Sequence, residues 1–88
     1  MLLLISYDLR KPGRDYSSLH QAIKNVGNWW HCLESVWIVE TSRDAIIVRD
    51  ELMRHMDTND KLAVLRTAGE WGTYNLGDDC NQWLHERM

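Results

Sequence analysis

The stretch "NWWHCLESVWIVET", Asn28 to Thr41, decides how the rest of the chain is read. Two runs rich in aromatic and β-branched residues, roughly Trp29–Leu33 and Val36–Thr41, flank the polar pair Glu34-Ser35. High strand propensity on both sides of so short a break predicts two adjacent strands joined by a bend. Successive strand residues face opposite sides. One of Trp29 and Trp30 therefore packs on a helical layer and the other on the opposite face.

The pattern continues outward on both sides. Upstream, Leu19, Ala22, Ile23 and Val26 recur at helical spacing, with Asp15 or Ser17 as the cap and Gly27 in place for a left-handed C-cap. Before that helix, Leu2–Leu9 is nearly continuous in apolar residues, as a strand buried on both faces is, and Lys11-Pro12-Gly13 ends it. Downstream, Ser42 is placed to cap a helix from Arg43 to about His55, with the inward stripe Ala45, Val48, Leu52 and Met56. Ile46 and Ile47 cannot both join that stripe, so at least one meets solvent or a partner. Asp57–Asp60 reads as a loop with Asx-type hydrogen bonds; it lacks the glycine and distal glutamate of a calcium loop. Lys61–Thr67 alternates as a fourth strand, and Tyr74–Leu76 is expected to add a short fifth. A last helix capped at Asp78 puts Cys80, Trp83 and Leu84 on one face.

The order β-α-β-β-α-β, with right-handed crossovers, puts both helices on one face of a four-stranded antiparallel sheet. The expected class is α+β, a ferredoxin-like sandwich in one domain over 1–88. Its core spans 1–67, with a C-terminal extension over 68–88. The face without helices needs a cover if it is apolar, and a second copy of the chain, as a homodimer, is the simplest one.

At 88 residues a lone domain buries only about 60–65% of its unfolded surface, which also favours a partner. Cys32 and Cys80 lie far apart without metal-ligand spacing and are expected to be reduced thiols. "MLLLISYDL" has no basic leader region, and no run is long enough to span a bilayer, so the expectation is a cytoplasmic protein without a membrane partner. A formal net charge of −3 weighs against a domain built to coat nucleic acid, though a local basic patch is compatible with it.

Asp8, at the end of the first strand, is the sharpest candidate for chemistry. Magnesium takes hard oxygen ligands and keeps several waters, so one carboxylate per subunit of a symmetric pair suffices to hold it. The competing reading is that Asp8 accepts turn hydrogen bonds from the Arg10–Gly13 loop. Arg10, Lys11 and Arg14 form a dense basic cluster beside it, suited to phosphate oxygens or else to ion pairs with Asp15 and Glu34. Trp29-Trp30 has base stacking as its functional reading and packing as the plainer one. His20 and His31 show no partner at fixed spacing, and Ser35 reads as a bend.

The ordered set "SYDL", a short helix closed by Gly27, and "ESVWIVET" resembles the small dimeric CRISPR-associated proteins of the second Cas family and the virulence-associated protein D ribonucleases. In those groups a first strand ending in aspartate is followed, after the helix, by a Ser-Val-aromatic core, here Asp8 and Ser35-Val36-Trp37. The pieces "YDL", "PG.DY", "WWH.LES.W" and "NDKL" are also similar to short uncharacterised proteins sometimes labelled SinR-like. The resemblance covers roughly Met1 to Thr67. It implies a homodimer packed through its sheets, with the fifth strand extending the partner's sheet and the two Asp8 carboxylates facing each other across the two-fold axis. It further implies a nucleic-acid-related role on RNA or DNA. Any activity is that of a Mg²⁺- or Mn²⁺-dependent phosphodiesterase with Asp8 as catalytic residue and metal ligand, and with Arg10, Lys11 and Arg14 on the phosphates. The acidic balance leaves a second reading open: a non-catalytic dimeric adaptor, or one half of a toxin–antitoxin pair, that binds another protein.

Overall fold

The hairpin forms as read, and everything else packs around it. The computed structural model describes residues 1–88. Its elements are β1 (Leu2–Asp8), α1 (Ser17–Lys24), β2 (Asn28–Leu33), β3 (Val36–Glu40), α2 (Ala45–Met53), β4 (Lys61–Arg66) and α3 (Asp78–Arg87). The strands make one antiparallel sheet in the order β2-β3-β1-β4. The molecule is thus a small α+β fold with a four-stranded sheet.

Alternation along the strands sorts side chains between two cores. Leu3, Ile5 and Tyr7 of β1 and Trp37 and Val39 of β3 face α1 and α2, where they meet Leu19, Ile23, Val26, Val48 and Leu52. Each fully buried side chain of this size contributes about 1.5–3 kcal/mol of transfer free energy. On the other face Leu2, Trp30 and Ile38 pack against Leu84 of α3. That face was expected to need a second copy. In part it is covered by the chain's own C-terminal helix instead, because Cys80, Trp83 and Leu84 do lie on one face of α3.

Several local expectations change. Asp44, not Ser42, caps α2: its Oδ1 accepts from the Ile47 N–H at 3.0 Å while its backbone is extended. This leaves Arg43 outside the helix. Its guanidinium pairs with Glu51 and reaches the carbonyl oxygens of Asn25 and Val26 at the end of α1. For α1, Asp15 Oδ1 accepts from the Ser17 N–H at 2.9 Å. Gly27 is not a left-handed cap. A Cβ there would sit 1.9 Å from the Glu40 carbonyl oxygen, so the residue is glycine because β3 passes too close for a side chain. Tyr74–Leu76 forms no fifth strand: Asn75 takes a left-handed φ of 65°, Gly77 follows at 91°, and the backbone turns instead of extending. Both Ile46 and Ile47 are exposed.

The cysteines are not free thiols. Cys32 of β2 and Cys80 of α3 form a disulfide with Cα atoms 6.3 Å apart. Residues 48 apart in sequence meet because α3 folds back across β2, which no spacing rule reveals. No helix is long and apolar enough to cross a membrane.

Candidate functional site

Asp8 closes β1 opposite Lys61 of β4. Even-numbered residues of β1 face away from α1 and α2, so Asp8 shares the α3 side of the sheet with Ser6 and Leu4. Its side chain is 55% exposed and its carboxylate meets the Arg10 guanidinium at 2.9 Å. Ser6, Tyr7, Asp8, Lys61, Leu62 and Ala63 line a shallow cavity of about 240 Å³ beside it. No group of three or more His, Cys, Asp or Glu side chains is arranged so that it could hold a metal ion. One chain offers a metal one carboxylate, already engaged by Arg10, and is by itself an incomplete magnesium site.

The three basic residues are brought together but not left free. Lys11 and Arg14 approach Asp57 at 3.5 and 3.7 Å, and Arg14 donates to the His55 carbonyl at 3.2 Å. The acids they meet are Asp8 and Asp57, not Asp15 and Glu34, because the loop after β1 lies against the loop before β4. Asp60 fastens that contact. Its carboxylate accepts from the backbone N–H of Arg10 at 2.6 Å, from the Asp57 N–H at 2.8 Å, and from the Tyr16 hydroxyl. Partial burial pushes the Asp60 carboxyl up, but these donors and Arg14 outweigh it and hold its pKa below the ordinary carboxylate value. Burial and the Asp60 charge raise the Tyr16 hydroxyl in turn. The Asx-type bonds expected in Asp57–Asp60 are present: Asp57 Oδ2 also accepts from the Asn59 N–H. Arg10 and Lys11, with half or more of their side chains exposed, retain donors for a phosphate; Arg14, 30% exposed, is committed to the loop contact.

A second constellation was not legible from spacing. Trp37 of β3, 2% exposed, is in contact with two histidines from different elements, which lie 6.5 Å from each other by centroid. The His31 ring stacks on it with centroids 3.7 Å apart and planes 13° apart, and His20 of α1 lies 5.9 Å from it. Tyr7 stands beneath: its oxygen accepts from Trp37 Nε1 at 3.0 Å and lies 3.4 Å from both His20 Nε2 and the Glu34 carbonyl oxygen. His31 Nε2 is 3.0 Å from the same carbonyl. Burial, with help from His31 and Lys24 and against Asp15, lowers the His20 pKa. As the alternation rule required, Trp29 faces this helical side and Trp30 the other, where its Nε1 donates to the Cys80 carbonyl at 3.0 Å. The available signals were His20 with Lys24 one helical turn on, and Trp29 with His31 on one strand face. Neither pair points to the other until the sheet is assembled. Ser35 is the bend it was read to be, and its carbonyl accepts from the Tyr7 N–H at 3.2 Å.

Comparison of the chain with models of known protein families, with curated proteins and with solved structures returned no match.

Proposed function

We propose that the chain acts as a homodimer on nucleic acid, as a ferredoxin-like cytoplasmic protein of the CRISPR-associated or virulence-associated D type, with phosphodiester cleavage as its chemistry. The observation that carries this reading is the half-exposed Asp8 carboxylate at the end of a central strand, beside Arg10 and across from Lys61. α3 and the segment before it cover β2, β3 and the Leu2–Leu4 end of β1, so what stays open is the Asp8 end of β1 with Lys61, Ala63 and Leu65 of β4 exposed beside it. A second copy seated there brings a second Asp8 to the same axis. Two carboxylates repel unless a cation joins them, and their hard oxygens suit Mg²⁺ or Mn²⁺. Bound there, the ion supplies Lewis-acid polarisation of a phosphate oxygen. Arg10 and Lys11 steady the phosphate, and Arg14 holds their loop in place through Asp57 and His55.

The test is Asp8→Ala. With Mg²⁺ present, wild-type protein is expected to cleave RNA or DNA, and the variant to lose at least about a hundredfold in rate. Equal cleavage by the two, or a monomer by light scattering at working concentration, overturns the mechanism.

The alternative is an adaptor that binds another protein. Ile46, Ile47 and Met53 of α2 are 63%, 48% and 56% exposed, an unusual run of large apolar side chains on one helix. Absence of any gel shift with single- or double-stranded nucleic acid at low salt favours this reading.

A further inference from the structure

The imidazole pair on the helical side of the sheet edge has all the groups for a second chemistry, distinct from that of Asp8. His20 and Lys24 are one turn apart on α1; Trp29 and His31 share one face of the edge strand β2. The two histidine rings are 6.5 Å apart by centroid, which leaves room for one phosphodiester hydrogen-bonded to both. Lys24 Nζ lies over the Trp29 ring at 5.0 Å, and that indole is 44% exposed.

The hydrogen-bond network under the pair closes with His20 in its Nε2–H form, the arrangement in which Tyr7 keeps its bond to the Glu34 carbonyl. A carbonyl oxygen only accepts, so the Glu34 carbonyl fixes the proton of His31 on Nε2. The same oxygen has a second lone pair for the Tyr7 hydroxyl proton. The Tyr7 oxygen then accepts twice, from Trp37 Nε1 and from His20 Nε2. The Tyr7 hydroxyl, Trp37 Nε1 and both histidine Nε2 atoms are then paired, and Nδ1 of each histidine is left without a partner.

We propose that His20 and His31 form a metal-independent acid–base pair that cleaves single-stranded RNA, with Lys24 toward the phosphate and Trp29 stacking a base. Neutral His20 takes the proton of a ribose 2′-hydroxyl through Nδ1 while the 2′-oxygen bonds to the adjacent phosphorus. The bond from phosphorus to the 5′-oxygen breaks, and imidazolium His31 gives its Nδ1 proton to that oxygen. The products are a 2′,3′-cyclic phosphate and a 5′-hydroxyl. His20 ends protonated and His31 neutral, and exchange with water restores both; no oxidant or co-reactant is consumed. The depressed pKa of His20, caused by burial and by His31 and Lys24 against Asp15, keeps it in the basic form. Tyr7, Trp37 and the Glu34 carbonyl are positioning groups. An open shelf with an exposed indole and an ammonium suits a single strand.

This site shares only its substrate class with the Asp8 reading, and one experiment separates the two. The full chain is incubated with a fluorescent uridine-rich octaribonucleotide and with the DNA octamer of the same sequence, each in EDTA and in Mg²⁺. The expected result is cleavage of RNA alone in EDTA, with cyclic phosphate ends. His20→Ala and His31→Ala, checked for native circular dichroism, each slow it by about a hundredfold or more. Added imidazole restores part of the His20→Ala rate, which a purely structural role would not allow. If a variant does not fold, His20→Asn and His31→Gln replace it. Cleavage only in Mg²⁺, equal cleavage of DNA, or variants as fast as wild type overturns the proposal. Of these, the Mg²⁺-only result, if lost in Asp8→Ala, upholds the Asp8 site.

Discussion

Tyr7 and Asp8 are neighbours in sequence and serve opposite faces of the sheet. Strand alternation sends the Tyr7 ring into the helical core beneath the histidine pair and the Asp8 carboxylate to the opposite face. A few ångströms away, Asp60 decides whether the basic loop after β1 is ordered. Its folded pKa is depressed, so its contribution to stability is present above the ordinary carboxylate value, near pH 4, and is lost as pH falls through the lower folded value. Acid unfolding of wild type is therefore expected to steepen below about pH 4. Asp60→Asn, less stable at pH 7, loses less on acidification, and the two urea midpoints converge by about pH 2. Midpoints measured from pH 7 to pH 2 that stay parallel contradict this account. The Asp8 ion pair with Arg10 is more exposed and counts for little in stability.

At the scale of elements, α3 is the piece with the least regular connection to the rest. It is joined to β4 by residues 67–77 without helix or strand, and is held by Leu84, by Trp30, by Arg87 near Glu40 and by the Cys32–Cys80 bridge. Closing a loop across 48 residues stabilises the fold by about 4 kcal/mol in the chain-entropy account. Cys80→Ser is expected to cost about 3–4 kcal/mol of unfolding free energy under oxidising conditions and almost nothing in excess dithiol, where wild type has lost the bridge as well. Denaturant curves in both conditions check this, and intact mass under oxidising conditions shows whether two hydrogen atoms are missing. A reducing compartment keeps the pair as thiols, so the same helix is pinned or merely packed according to its surroundings.

At the scale of the whole molecule, the sheet has one face covered by α1 and α2 except at the Trp29 edge, and one that α3 shares with solvent. A cavity of about 550 Å³ lies on the second face between Leu4, Trp30, Val36 and Ile38 of the sheet and Trp71, Leu76 and Leu84 above it. Removing the cover exposes Leu2, Trp30 and Ile38, each worth about 1.5–3 kcal/mol when buried. A chain ended after Thr67 is expected to keep the strands and helices that precede it and to self-associate at micromolar concentration. Light scattering that shows it monodisperse and monomeric contradicts the view that α3 does the work a partner would otherwise do.

Periodicity and local chemistry determined the four strands, the first two helices, the Glu34-Ser35 bend, the opposed tryptophans and that at least one of Ile46 and Ile47 faces outward. These depend on residues a turn or a pleat apart. The sequence also placed Asp8 at the end of a strand beside a basic loop. What only the tertiary structure decided is everything that needs two distant segments to meet: the Cys32–Cys80 bridge, the Asp57 and Asp60 partners of the basic loop, α3 as cover for the second face, Gly27 against Glu40, and His20 and His31 together beside Trp37. The reason is physical. Backbone and side-chain preferences act over a few residues and leave a local record. A contact across the sheet is set by which faces must be buried together, and that is fixed only when the whole core closes.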